Sequence, residues 1–155
     1  MEVSETLLAY LDSRDITYDR LSHRHTESSV NSAHAAHIPE EQLAKSVILE
    51  DDKGYVMAVV PAHAHVKIGE LNRLLNRKMG LATEVELLPL FNDCELGAIP
   101  PVGQAYGMET IVDRGLDDCS DVYFESGNHV DLIHIQGDAF RELMKEARHA
   151  SICMH

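Results

Sequence analysis

The stretch Ser46-Val-Ile-Leu-Glu-Asp-Asp-Lys-Gly-Tyr-Val-Met-Ala-Val-Val60 decides the fold. Two apolar runs rich in β-branched residues flank a polar turn that contains Gly54, and this is the pattern of a β-hairpin.

Helical patterns lie on both sides of this hairpin, and further strand patterns follow it. Helix N-caps are predicted at Ser4, Thr26 and Asp138, and the first of these helices would place Leu7 and Leu11 inward. A further helix is predicted from Ile68, with Leu71 and Leu75 on its apolar face and Gly80 as its stop. Thr83 and Glu86 form the pattern of a capping box, and Pro89 would cut the helix that follows it short. Later strands are predicted at Thr110–Val112, Val122–Phe124 and Val130–Ile135. Strands and helices do not alternate regularly. We therefore predict an α+β fold, a single domain over residues 1–155 with a mixed, partly barrel-like sheet flanked by helices.

Composition and charge exclude several classes of protein. The 155 residues are 45% hydrophobic and 25% charged, the mix of an ordinary globular domain. The net charge of −13 argues against nonspecific binding of nucleic acid, so DNA is not expected as a partner. The acidic start lacks the basic region of a signal peptide, no apolar run reaches membrane-spanning length, and the three cysteines suit reduced thiols. A cytoplasmic protein without a membrane partner is expected.

Two features are candidates for chemistry. The segment Glu95–Gln104 places Gly97 and Gly103 around Pro100-Pro101, so a stiff loop could present backbone N–H groups to an oxyanion or a carboxylate. Lys45 precedes the first apolar run, where a point charge could bind phosphate or carboxylate. The alternatives are an ordinary surface turn and a solvated lysine.

Other catalytic motifs are missing. The spacings His63-x-His65 and His34-x-x-His37 could chelate Zn²⁺, but the chain contains no CxxC or HExxH motif. Nucleophile-elbow and phosphate-loop motifs are missing too, so we expect no cofactor and no metal.

Charge is distributed unevenly along the chain. Residues 67–78 contain four basic residues against one acidic residue, a net charge of +3, whereas residues 91–138 carry a net charge of −9. The helix predicted within residues 67–78 is the candidate surface for RNA, and its candidate contacts are Lys67, Arg73, Arg77 and Lys78. A solvated polar helix face is the alternative.

Taken in order along the chain, these segments resemble the YbaK / prolyl-tRNA-synthetase-associated domain family of trans-editing aminoacyl-tRNA deacylases. The resemblance covers roughly residues 18 to 145. Its anchors are Leu43-Ala-Lys-Ser-Val-Ile-Leu49, Val59-Val-Pro-Ala62, Gly97-Ala-Ile-Pro-Pro-Val-Gly-Gln104, Thr110-Ile-Val-Asp113 and Ser126-Gly-Asn-His129.

The resemblance implies roles for particular residues. Lys45 would hold the phosphate or the terminal adenosine, the loop Gly97, Ala98, Ile99, Pro100 and Pro101 would present N–H groups to the aminoacyl carbonyl, and His129 would lie near the pocket. Thr26, Val30, Ser46 and Gly103 would line the amino-acid site. The implied partners are the aminoacylated 3′ end of a tRNA and an aminoacyl-tRNA synthetase.

Three positions depart from the family pattern, and they leave the edited amino acid open. His37 stands where many relatives have glycine, Pro100 stands where a small residue is common, and Pro89 interrupts the helix before the loop. The leading hypothesis is hydrolysis of the ester of mischarged tRNA with an ordered water. The alternatives are a non-catalytic binding module of the same fold, which docks to tRNA, a synthetase or a small ligand, and a metalloprotein that binds its ion through histidine.

Overall fold

The structure is a computed structural model that describes residues 2–154. Its helices are α1 (Glu5–Ser13), α2 (Ser29–Ala35), α3 (Ile68–Leu75), α4 (Glu84–Leu90) and α5 (Gly137–Leu143). Its strands are β1 (Asp19–Ser22), β2 (Leu43–Asp51), β3 (Gly54–Pro61), β4 (His65–Val66), β5 (Gly80–Leu81), β6 (Glu109–Asp113), β7 (Asp121–Glu125), β8 (Asp131–Gln136), β9 (Arg148–Ala150) and β10 (Cys153–Met154).

The predicted hairpin lies in the middle of a mixed eight-stranded sheet. The strand order is β1-β8-β7-β2-β3-β6-β9, with β5 paired to β2, and β4 and β10 form a separate pair. Strands β2 and β3 pair antiparallel through the turn at Gly54, while the pairs β2–β7, β3–β6 and β6–β9 are parallel. The predicted α+β class with a mixed sheet is confirmed.

The central strands are apolar on both sides because helices cover both faces of the sheet. Ile48, Met57 and Val59 pack into one cluster with α1 and α5. The alternate residues of β3, Val56 and Ala58 among them, pack into a second cluster with α3. The period of two along β3 therefore divides a single apolar run between two cores.

Three predicted helix boundaries were wrong. Ser28, not Thr26, caps α2, since its hydroxyl accepts the amide of Asn31 at 3.2 Å. Helix α3 ends at Leu75 and is capped by Asn76, whose φ of 53° is left-handed, and Gly80 belongs to β5. Gln136, not Asp138, stands at the N-cap of α5, and Asp138 pairs with Arg141 in the first turn.

Two other predicted helix starts are confirmed. The Ser4 hydroxyl accepts the amide of Leu7 at the start of α1. Thr83 and Glu86 form both halves of a capping box, and α4 ends one residue after Pro89. Within residues 2–154, no helix is both long and apolar enough to cross a membrane.

Candidate functional site

A cleft opens where β2 loses its neighbour in the sheet. Strand β7 pairs with β2 at Leu43 and Ala44, and β5 pairs with it at Leu49 and Glu50. Within residues 2–154, no strand lies beside the edge of β2 between these two pairs. The cleft has a volume of about 260 Å³. It is lined by the segment before α2, the free edge of β2, α4, the proline loop and the end of β7: Glu27, Ser28, Ser29, Lys45, Ser46, Ile48, Leu87, Gly97, Ile99 and Glu125.

Lys45 lies inside β2 and not at its start. Its side chain is half-buried, and desolvation lowers the pKa of its ammonium group, although the nearby Cys153 opposes this shift. Within residues 2–154 the ammonium group forms no hydrogen bond and no ion pair. Lys45 also borders a neighbouring cleft that it shares with Val47 and Ile68. A half-buried cation without a partner suits the binding of an anion that arrives with a ligand.

Gly97 brings the proline loop to the cleft. Its φ is +84°, and a Cβ at this position would lie 3.1 Å from the Glu27 carbonyl oxygen and 3.2 Å from Cε1 of His129. Both the conformation and the space therefore require glycine. The Ser46 hydroxyl donates to the Ile99 carbonyl at 3.1 Å and fastens the loop to β2.

The free N–H groups of the loop are fewer than its length suggests. The Ala98 amide donates to the Glu95 carbonyl at 3.1 Å, and the Ala98 carbonyl accepts the Gly127 amide at 2.9 Å. Pro100 and Pro101 have no N–H and are buried outside the cleft lining. The amides of Gly97 and Ile99 remain, and in the described part of the chain neither donates to another group. These two are the candidate donors to an oxyanion.

His129 lies behind Gly97 and not on the cleft surface. The side chain is buried, and its ring lies where a Cβ of Gly97 would project. The centroid of the ring is 5.1 Å from that of the His25 ring. Its amide donates to Oε2 of Glu95 at 2.9 Å, and its carbonyl accepts the Thr26 amide at 3.3 Å. The position of His129 is that of a residue that fixes the loop.

The other residues expected around an amino-acid pocket fall into two groups. Ser46 lines the cleft, whereas Val30, on α2, packs against the apolar cluster that contains Ala33 and Leu43. Gly103 is also outside the lining. It is tightly packed, because a Cβ there would collide with Oγ1 of Thr110. It is a packing position at the start of a 3-10 helix (residues 103–106).

Sequence reasoning missed Glu125, the last residue of β7. Its side chain is 2% exposed and lines the cleft. Burial raises the pKa of its carboxyl to about 7, against the opposing hydrogen bond from Ser32. The Ser32 hydroxyl lies 2.6 Å from that of the buried Thr26. Thr26 is therefore linked to Glu125 only through the hydroxyl of Ser32. A lone acidic residue directly after the apolar run Val122-Tyr-Phe124 was the signal available in the sequence.

The basic residues of 67–78 do not form one free strip. The Arg77 guanidinium holds Asp51 through two hydrogen bonds of 2.7 and 2.5 Å and keeps the pKa of that carboxyl well below its usual value. Its side chain is 15% exposed, so Arg77 joins the hairpin turn to α3. Arg73 and Lys78 line an open depression beside it, together with Lys53, which the charge count had not singled out.

Histidine and cysteine chemistry gains no support from the geometry. Within residues 2–154, no three His, Cys, Asp or Glu side chains come together as metal ligands. Burial raises the pKa of the thiols of Cys94 and Cys153 to about 12, and it raises that of Cys119 as well. None of the three thiols is set up as a thiolate nucleophile.

Fold and cleft together define an α+β domain with a candidate ligand site at an interrupted sheet edge. The model of the aminoacyl-tRNA editing domain family matches residues 23–143, and the chain belongs to this family. No curated protein matches the chain.

Solved structures show the same fold at low sequence identity. The hypothetical protein APE2540 is 22% identical with a TM-score of 0.85, and the match covers 97% of this chain and 100% of that one. A structure described as a candidate trans-editing enzyme for prolyl tRNA synthetase is 21% identical with a TM-score of 0.82, covering 99% and 100%. A candidate signal transduction protein from Marinobacter aquaeolei VT8 is 20% identical with a TM-score of 0.82, covering 99% of this chain and 31% of that one.

Proposed function

We propose that this protein hydrolyses the ester bond of mischarged aminoacyl-tRNA, with Lys45 and the loop at Gly97–Ile99 as its working parts. One observation carries the proposal. In a chain that belongs to the editing family, Lys45, Gly97 and Ile99 line a single cleft, and within residues 2–154 the ammonium group of Lys45 and the amides of Gly97 and Ile99 have no partner.

The reaction needs little from the protein, because an aminoacyl ester is already activated. Water attacks the carbonyl carbon, its oxygen forms the new C–O bond, and the bond to the ribose oxygen breaks as one proton passes to that oxygen. The amides of Gly97 and Ile99 would stabilise the developing oxyanion, an effect of about 3–4 kcal/mol for a well-placed donor. No thiolate is required, which agrees with the raised pKa of the cysteines.

Lys45 would position the RNA end. Its half-buried ammonium group gains most when a phosphate replaces the water it has lost, and the contact would fix the ester beside the loop. His129 would act as a positioning residue, since it packs against Gly97 and holds Glu95 through its amide. A synthetase partner and a cytoplasmic location are part of this proposal.

The test is deacylation of a panel of mischarged tRNAs by the pure protein and its variants. We expect Lys45→Ala to lower the rate by about 100-fold or more, since misplacing the ester is that costly. Unfolding free energy should change by about 1 kcal/mol or less, since the Lys45 side chain is only half-buried. Lys145→Ala, which removes an exposed lysine outside the cleft, is the matched control.

The cysteine variants Cys94→Ser, Cys119→Ser and Cys153→Ser should keep their activity. A dead cysteine variant that still folds would replace this mechanism with covalent catalysis. If Lys45→Ala matched the wild type, the role of Lys45 would be wrong. If the wild type cleaved no tRNA of the panel, the protein would be a binding module of the editing fold.

A further inference from the structure

Glu125 is a buried acid beside the free edge of β2. The parallel register pairs Leu43 with Tyr123 and Ala44 with Phe124, so Glu125 follows in step with Lys45 where the pairing ends. Both residues line the cleft. The other acidic residue of the lining, Glu27, has a side chain that is 76% exposed, whereas Glu125 is 2% exposed.

One oxygen of this carboxyl has no partner. Oε2 of Glu125 is buried and accepts no hydrogen bond within residues 2–154. Ser32 is the one residue whose hydrogen bond stabilises the ionised form, and Lys45 forms no ion pair with it. A buried carboxyl without a partner costs stability, and an apolar side chain of similar size would be cheaper for the fold alone. The arrangement suits a ligand that brings its own cation or donor to Oε2.

The groups left free in the cleft correspond to the groups of one kind of substrate. An aminoacyl ester at an RNA end carries phosphate, an ester carbonyl and an α-ammonium group. The proposed function assigns the phosphate to Lys45 and the carbonyl to the amides of Gly97 and Ile99, and our inference rests on that assignment. The carboxyl of Glu125 then remains for the ammonium group.

We infer that Glu125 binds the α-ammonium group of the aminoacyl moiety, so that the substrates are aminoacyl esters with a free amine. An N-acylated ester presents an amide in place of the cation and cannot neutralise the buried carboxyl. Polar sites of this kind reject ligands that leave their buried groups unpaired. Peptidyl-tRNA and formylated initiator tRNA would therefore escape hydrolysis.

The inference is tested by binding, without turnover. The probes are 3′-alanylamino-3′-deoxyadenosine, whose amide linkage resists hydrolysis, and its N-acetyl derivative, which lacks the cation. Their dissociation constants are measured by calorimetry or by NMR titration on wild type, Glu125→Gln and Glu146→Gln. Glu146 is an exposed acid outside the cleft. We expect wild type and Glu146→Gln to prefer the free amine by about 10-fold or more, the value of a charge-assisted hydrogen bond, and Glu125→Gln to lose this preference.

Each other outcome overturns the inference. Equal binding of the two probes by wild type does so, and so does failure of wild type to bind the free-amine probe. Equal weakening of both probes by Glu125→Gln would show a role in the shape of the cleft. Circular dichroism confirms that the variant folds. The deacylation panel separates this inference from the proposed function. If the protein prefers the free amine but hydrolyses no tRNA, only the inference stands. If hydrolysis depends on Lys45 but the free amine is not preferred, only the proposed function stands.

Discussion

At the scale of single residues, burial pushes Lys45 and Glu125 toward their neutral forms. Desolvation lowers the pKa of the lysine and raises that of the glutamate. A neighbouring cation and anion in register would normally restore both charges, but the two side chains form no ion pair in the described residues. The cleft thus holds two groups whose charges are favoured only when a ligand of opposite charge arrives.

The raised pKa of Glu125 predicts how the unfolding free energy varies with pH. The carboxyl has a pKa of about 7 in the folded protein, against a usual value of 4.5. Protonated Glu125 therefore contributes stability in full below pH 4.5, and that contribution falls as pH rises and is lost above pH 7. Glu125→Gln stays neutral, so its stability relative to wild type should rise by up to about 3 kcal/mol between these limits.

Urea unfolding of wild type and Glu125→Gln at acidic and alkaline pH measures this difference. Glu146→Gln, which removes an exposed carboxyl, should follow wild type at both pH values. A difference between Glu125→Gln and wild type that does not vary with pH would mean that folding leaves the pKa of Glu125 unchanged.

The sequence could predict some of these residues and not others. Lys45 and Gly97 stand out by type beside an apolar run and a proline pair, and the structure brings both to the cleft. Burial of Glu125 depends on where β7 separates from β2, which is a property of strand register. The partner of Arg77 likewise depends on a turn 26 residues away. The surroundings of Glu125 and Arg77 depend on contacts between segments that are distant in sequence, and local sequence patterns do not predict such contacts.

At the scale of elements, local patterns predicted the hairpin and the capping box well and predicted the helix ends poorly. The register of β2 and β3 follows from alternating apolar residues and the Gly54 turn. Thr26 and Ser28 are equally good caps by type. Thr26 is instead buried against Ser32, which leaves Ser28 to cap α2.

His37 closes α2 in the conformation that favours glycine. Its φ is 59°, and the amides of Ile38 and His37 donate to the carbonyls of Ala33 and His34, which is a Schellman motif. The side chain is exposed, so a substitution removes little packing. The departure from the family pattern therefore costs backbone strain and does not reshape the cleft directly.

We expect His37→Gly to raise the unfolding free energy by about 0.5–1 kcal/mol. Glycine removes the strain of the left-handed conformation, and the greater conformational entropy of glycine in the unfolded chain offsets part of this gain. Thermal or urea unfolding measures the change. His34→Gly, an exposed position inside the same helix, is the matched control and should lower stability by about 0.4 kcal/mol, the difference in helix propensity between histidine and glycine. If both variants lost stability alike, His37 would make a contact that outweighs its strain.

At the scale of the whole molecule, the proposed function requires an acidic protein to bind an acidic RNA. With a net charge of −13, the overall field repels tRNA, so contact depends on local positive groups. Lys45 lies in the cleft, and Lys53, Arg73 and Lys78 surround a depression at the far end of β2. Six residues of strand separate Lys45 from Asp51, about 20 Å, which an RNA end that enters the cleft would span.

This arrangement predicts which basic residues govern RNA affinity. Arg73→Glu with Lys78→Glu should weaken binding of a tRNA and make the slope of log K against log salt shallower by about 2, because two phosphate contacts are lost. The matched control is Lys145→Glu with Arg148→Glu, which changes the net charge equally at exposed positions outside the depression and should leave the slope unchanged.

Arg77 is unsuitable for this test, since its reversal would place two acids together at Asp51 and break the link between hairpin and α3. Filter binding across a salt series gives both slopes. Equal loss in the two double variants would mean that net charge alone sets the affinity, and the RNA surface would then lie elsewhere.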